Sequence, residues 1–174
     1  VNYKVKDGSD KDSKIIDITI EEKATGEITA GAGFGTDGGT LIFGIRENNY
    51  LGKGLIVKAQ ANLSTDSIKG EFGVTNPNYN NSDKMIFSNF KASETDRLTS
   101  SGYKTNKTGF ELGTKFEYLE DLKFGASGRS FYEKIETDST ASATQQKQEG
   151  DYWDTFLNLD FDYDKRNQKF QTTK

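Results

Sequence analysis

The chain contains neither cysteine nor histidine and only one proline. Without thiols or imidazoles it has no disulfide framework, no cysteine or histidine nucleophile, and none of the ligands that hold most zinc and haem groups. Long apolar runs are missing too. Hydrophobic residues fill 32% of the 174 positions, and no window approaches the roughly 20 consecutive apolar residues of a membrane helix. There is no extended basic stripe: 23 Lys and Arg against 27 Asp and Glu leave a net charge of -4, so no nucleic-acid partner is expected. No basic and apolar leader opens at Val1, which is read as a signal peptide already removed or as an internal excerpt.

What is present does not fit a solvated coil. Twelve Phe, eight Tyr and eighteen Gly need surfaces to cover them or turns to use them. The dominant pattern is alternation with a period of two, segment after segment, with turn residues between. Phe110, Leu112, Thr114, Phe116 and Tyr118 oppose Glu111, Gly113, Lys115 and Glu117. Leu122, Phe124 and Ala126 oppose Lys123, Gly125, Ser127 and Arg129, and Trp153, Thr155, Leu157, Leu159, Phe161 and Tyr163 oppose Asp154, Asn158, Asp160, Asp162 and Asp164.

A soluble sandwich alternates as well, so length and polarity decide where the apolar face goes. These runs last about nine to eleven residues, the span of a tilted membrane strand, whereas strands of soluble domains average about five or six. Their second face is charged, small or Gly at nearly every position, as a wet lumen permits. The spacing predicts about eight strands, at 27–35, 39–48, 53–65, 67–76, 83–94, 106–119, 121–135 and 150–164.

The fold class expected is therefore all-β: the N-terminal half, about eight strands, of a transmembrane antiparallel up-and-down β-barrel. Lipid-facing positions are Phe110, Leu112, Phe116, Leu122, Phe124, Trp153, Leu157, Leu159 and Phe161. Tyr50, Tyr79, Tyr118 and Tyr163 each stand beside every second turn, the spacing of an aromatic girdle at one interface. Turns near them, 119–121 and 48–53, are short, while 95–106 and 136–150 are polar and long; this makes the tyrosine side periplasmic.

Residues 1–24 differ. Val1, Tyr3 and Val5, then Ile16, Ile18 and Ile20, flank the turn-rich DGSDKDSK, a short hairpin that is marginal alone and is expected to belong to a larger domain. The hinge into the barrel is placed at 23–26.

The order of these segments resembles BamA-type outer-membrane assembly factors. IIDITIEEKATGEITAGAGFGTDGG is similar to the family's passage from the final POTRA domain into the first barrel strand. ENNYLGKG and GVTNPNY look like its first two periplasmic turns, and DYDKRNQKFQTTK like its exit from the eighth strand. The resemblance spans essentially the whole chain. It implies residues 1–24 as the terminal hairpin of a periplasmic POTRA domain and 25–174 as the first half of a barrel of about sixteen strands. It also implies the outer membrane as location, and the lipid bilayer, nascent outer-membrane proteins and accessory assembly lipoproteins as partners.

By that resemblance the first strand, Glu27, Ile28, Thr29, Ala30, Gly31, Ala32, Gly33, Phe34 and Gly35, is a lateral seam that templates client strands. Its glycines weaken the strand and admit another backbone closely, and backbone pairing at an edge reads geometry more than sequence. No enzyme activity, catalytic residue, cofactor or metal is expected. GAGFGTDGG lacks the P-loop Lys-Ser/Thr pair and its helix. Glu111 and Glu117 lie about 20 Å apart along a strand, too far for paired-carboxylate chemistry. Asp154, Asp160, Asp162 and Asp164 invite calcium, but they run along one strand face near Lys123 and Arg129. Two alternatives stay open: a complete eight-stranded barrel with a structural, adhesion or pore role, and a related translocation barrel.

Overall fold

The computed structural model describes residues 2–10, 12–21, 23–35 and 38–166. Ten strands form two separate antiparallel sheets. Among the described residues β1 (Asn2–Asp7) and β2 (Lys14–Thr19) pair with each other alone, from Asn2↔Thr19 to Asp7↔Lys14. One side of this hairpin carries Tyr3, Val5, Ile16 and Ile18, all exposed.

The larger sheet runs β3 (Gly26–Gly35), β4 (Gly38–Tyr50), β5 (Leu55–Ser64), β6 (Ser67–Asn76), β7 (Met85–Arg97), β8 (Tyr103–Leu119), β9 (Leu122–Thr137) and β10 (Gly150–Tyr163), each beside its chain neighbour. This is up-and-down order without crossovers. Among the described residues β3 and β10 do not pair with each other, so the sheet is open and not a closed eight-stranded barrel.

The alternation explains the strands. Side chains of period two fill two opposite faces, and β-branched and aromatic residues suit the pleat. Turns use left-handed backbone where tightness demands it: Leu51, Gly52 and Gly54 have φ of 55°, 69° and 65°, and the Gly54 amide donates to Asn49 Oδ1 at 2.7 Å. Among the described residues the buried ones are Ala141 and Ser127, at 7% and 8% exposure, and the glycines Gly73, Gly102, Gly109 and Gly125. A sheet with so little interior holds together through its backbone ladders, and its apolar face faces outward.

Two expectations about the ends need correction. The stretch 95–106 is mostly strand: β7 runs to Arg97, the one-turn helix α1 (Leu98–Ser101) follows, and β8 starts at Tyr103. Ion pairs make the extension possible, since Lys104 Nζ lies 2.9 Å from Glu94 and 3.3 Å from Asp96 across β7–β8. Loop length also does not separate the two ends cleanly. The tyrosine end includes the longer connection 77–84, with a 3-10 turn at Tyr79–Asn81, and the far end includes the tight 65–66 turn.

At the far end the β9–β10 connection folds around α2 (Ala143–Gln146), capped by reciprocal Ser142 and Gln145 hydrogen bonds. It docks on α1. The Asp138 amide donates to the Gly102 carbonyl at 2.8 Å, and Gly102, at φ 72°, leaves no room for a Cβ, which would meet the Ala141 nitrogen at 2.3 Å.

Candidate functional site

Register fixes which residues share a face, because directly paired residues of neighbouring strands project to the same side. One row crosses the whole sheet as Trp153, Tyr132, Thr108, Ala92, Gly70, Ala61, Phe43 and Ala30. The next row contains Phe110, Phe90, Phe72, Ala59, Ile45 and Ile28. All nine positions expected to face lipid lie on this side. Phe110, Leu112, Trp153, Leu157, Leu159 and Phe161 are exposed, Leu157 at 77%, and Phe116, Leu122 and Phe124 are half-buried against neighbouring rings and strands. Phe124 sits between Phe116 and Phe161, with ring centroids 5.6 and 5.2 Å away. Phe110, Phe124 and Leu157 do not meet in an interior.

An exposed apolar surface spread over eight strands is far larger than a soluble monomer tolerates, and hydrocarbon is the solvent that accepts it. The band also moves along the sheet. The row above Trp153 is charged or polar at Asp151, Lys134, Asn106 and Glu94 but apolar at Ile68, Leu63, Leu41 and Ala32. Strands tilted by about 35–45° in a barrel produce such a diagonal, because one membrane level crosses successive strands at different register.

The opposite face is polar and partly neutralised. Lys107 lies 3.0 Å from Glu133, Lys58 3.4 Å from Glu71 and Lys115 3.7 Å from Asp162. Asn89 and Ser127 donate to Glu111 at 3.4 and 3.3 Å. Asp162 is thus answered by Lys115 and faces Lys123 in the register, and no metal-holding cluster of carboxylates occurs among the described residues.

Three phenylalanines on this face, Phe87, Phe131 and Phe156, depart from the small-or-charged expectation, as do Tyr103 and Tyr152. Phe131 covers Gly109, where a Cβ would come within 2.4 Å of its ring, and Phe87 covers Gly113 at 2.3 Å. Lys107 and Arg129 lie over Phe131 and Phe156 at 5.3 and 4.9 Å from the ring centres. The position of the phenylalanines was readable from parity, since Phe131 shares phase with Arg129 and Phe156 with Asp154 and Asn158.

The first strand of the large sheet, β3, contains every proposed seam residue. It pairs with β4 from Gly26↔Glu47 to Gly35↔Gly38, and its other edge has no strand beside it among the described residues. Ile28 and Phe34 are 86% and 96% exposed. Gly31, Gly33 and Gly35 point to the polar face, and a Cβ at Gly33 or Gly35 would meet nothing within 4 Å. The entry to β3 is fastened to β4: the Thr25 hydroxyl donates to Glu47, and the Asn48 amide and side chain donate to the Thr25 carbonyl at 3.3 and 3.0 Å.

Tyr50, Tyr79, Tyr118 and Tyr163 all stand at one end of the sheet, at the β4–β5, β6–β7 and β8–β9 connections and the close of β10. Each is exposed. Residues 167–174, part of the stretch that resembles a passage out of the eighth strand, and Thr36 and Asp37 of GAGFGTDGG lie outside the described residues.

An open up-and-down sheet with one hydrocarbon-compatible face and one wet face is the wall of a transmembrane β-barrel. Residues 49–174 match the Omp85 superfamily domain, and the chain belongs to that superfamily. Its fold is similar to the crystal structure of BamA from Haemophilus ducreyi lacking POTRA domains 1-3, with a TM-score of 0.66 at 21% identity. That match covers 98% of this chain and 36% of the other, so the chain spans little more than a third of the length of the chain it matches.

Proposed function

We propose that this chain is the N-terminal half of an outer-membrane barrel that assembles and inserts other barrel proteins, with β3 as its lateral seam. One observation carries this reading: β3 has a complete ladder to β4 on one edge and, among the described residues, no strand on the other, while Gly33 and Gly35 face open space on the polar side. In hydrocarbon every unmatched N–H or C=O costs several kcal/mol, so such an edge must be satisfied by another strand. A client strand satisfies it as well as a closing strand does. The drive for insertion is then hydrogen-bond completion and transfer of apolar side chains into lipid, with no covalent step.

In this reading the hairpin within residues 1–24 is the end of a periplasmic POTRA domain, whose missing elements cover Tyr3, Val5, Ile16 and Ile18. Residues 25–174 form the barrel half, the four tyrosines mark the periplasmic interface, and accessory lipoproteins dock on the periplasmic side. Membership of the Omp85 superfamily and likeness to the BamA fold support it.

The test is a disulfide lock in the full-length protein, with Cys at Ala30 or Ala32 and Cys on the closing strand. Oxidation is expected to stop client assembly and reduction to restore it. Undiminished assembly by a quantitatively locked protein would refute the seam.

A further inference from the structure

The membrane face is not uniformly smooth. Across β6 to β9 lies an open groove of about 530 Å³ lined by Val74, Ile86 and Leu112, by the shorter Ser88, Thr114 and Ala126, and by Asn76, whose side-chain oxygen already accepts from the Asn78 amide at 3.1 Å. The Thr114 hydroxyl is already spent, donating to the Met85 carbonyl at 2.9 Å, so it adds no free donor to the groove. A slot lined in this way is shaped for a chain of methylenes.

The groove opens toward the tyrosine end, and the residues there are polar in a particular way. Tyr79 lines its mouth. The Tyr79 amide donates to the Lys84 carbonyl at 2.8 Å, which holds the two residues side by side, and the Ser82 hydroxyl donates to the Tyr79 carbonyl at 2.6 Å. Lys84 Nζ stands 5.9 Å from the centre of the Phe116 ring, within reach of a cation–π attraction that steadies the ammonium at the edge of the apolar band. Among the described residues Lys84 makes no ion pair, unlike Lys58, Lys104, Lys107 and Lys115.

We propose that this groove holds one anionic glycerophospholipid, its acyl chain along Val74, Ile86, Ser88 and Leu112 and its phosphate between the Lys84 ammonium and the Tyr79 hydroxyl. The assignment rests on the reading of this face as lipid-exposed. It adds a specific site to a general solvent contact, because Tyr79 lines the slot and Lys84, without an ion pair among the described residues, is held beside Tyr79. An anionic headgroup is drawn to a lysine near the membrane surface, where each such residue contributes to binding.

The full-length protein in phosphatidylcholine nanodiscs containing a minority of phosphatidylglycerol provides the test, with a photoactivatable group on the acyl chain of either lipid. Label from phosphatidylglycerol is expected to concentrate on peptides containing Ile86, Ser88 and Leu112, relative to label from phosphatidylcholine. Lys84→Gln should reduce that enrichment about fivefold, and Lys84→Arg should retain it. Equal labelling of the groove by both lipids in the unaltered protein overturns the site, as does enrichment that survives Lys84→Gln. Labelling at Leu157 reports separately on the membrane face: if it occurs without groove enrichment, only the lipid site fails, and if Leu157 and Phe110 stay unlabelled by either lipid, the membrane reading fails and takes the site with it.

Discussion

Two parts of one sheet solve the same problem in opposite ways. In β8 and β9 the ladder runs from Tyr103↔Thr137 to Leu119↔Leu122, neighbours occupy both edges, and the spaces over Gly109 and Gly113 are filled by Phe131 and Phe87. In β3 the ladder is shorter, and among the described residues one edge has no neighbour and nothing lies over Gly33 and Gly35. Both regions use glycine on the polar face, yet only in the first does this chain supply the aromatic that covers it. Glycine in the body of the sheet therefore serves packing, whereas under the proposed seam function glycine at the edge would leave β3 open to another backbone.

The strongest way to break this comparison is a charge on the membrane side of the body. Leu112→Arg is expected to cost about 2–4 kcal/mol, the penalty for a cation near the middle of the bilayer, while Thr29→Arg on the polar face of β3 should be near neutral. Urea midpoints of the full-length protein in liposomes, followed by fluorescence, measure both. Equal costs would mean that the two faces are not lipid and lumen.

A subtler contrast compares the glycines. Gly109→Ala drives a Cβ to 2.3 Å from the Ser130 carbonyl and 2.4 Å from Phe131, and overpacking of this kind costs about 1–3 kcal/mol. Gly33→Ala meets nothing and should stabilise by about 0.5–1 kcal/mol through lost chain entropy. The same Gly33→Ala is expected to slow client assembly while raising the urea midpoint. If it lowered the midpoint instead, the space over β3 would be filled in the whole protein.

The smallest expected effect concerns the far-end loop, which only the long hairpins carry. The Thr140 hydroxyl and amide donate to the Asp138 carboxylate at 2.6 and 2.7 Å and, with the Ala141 amide, hold its carboxyl below the usual range. A lowered folded pKa gives stability that is present above the unfolded value of about 3.9 and lost as pH falls through the folded one. Protease protection of residues 138–149 should thus persist through neutral and mildly acidic pH and fade only below that window. In Asp138→Asn the fade should be absent.

Much of the architecture was legible in order along the chain. Strict alternation in 110–118 and 153–163 identified strands and their apolar faces, since a period of two has only one regular reading. The ends were harder. Residues 95–106 look like loop because they are polar, yet on either side of α1 they are strand, where Lys104 reaches Glu94 and Asp96 across the pair. The groove above Lys84 was not legible at all: Val74, Ile86 and Leu112 come from three strands, and nothing along one strand states which register brings them together.

By itself the sequence determined that this protein is a set of two-faced ribbons with tyrosines at alternate turns, because side-chain direction in a strand depends on parity alone. Only the tertiary structure decided which residues share a membrane level, that the apolar band climbs diagonally across the sheet, and that Phe131 and Phe87 close the gaps over glycines. Those features depend on register between strands, a relation between distant residues that pairing sets and local pattern does not contain.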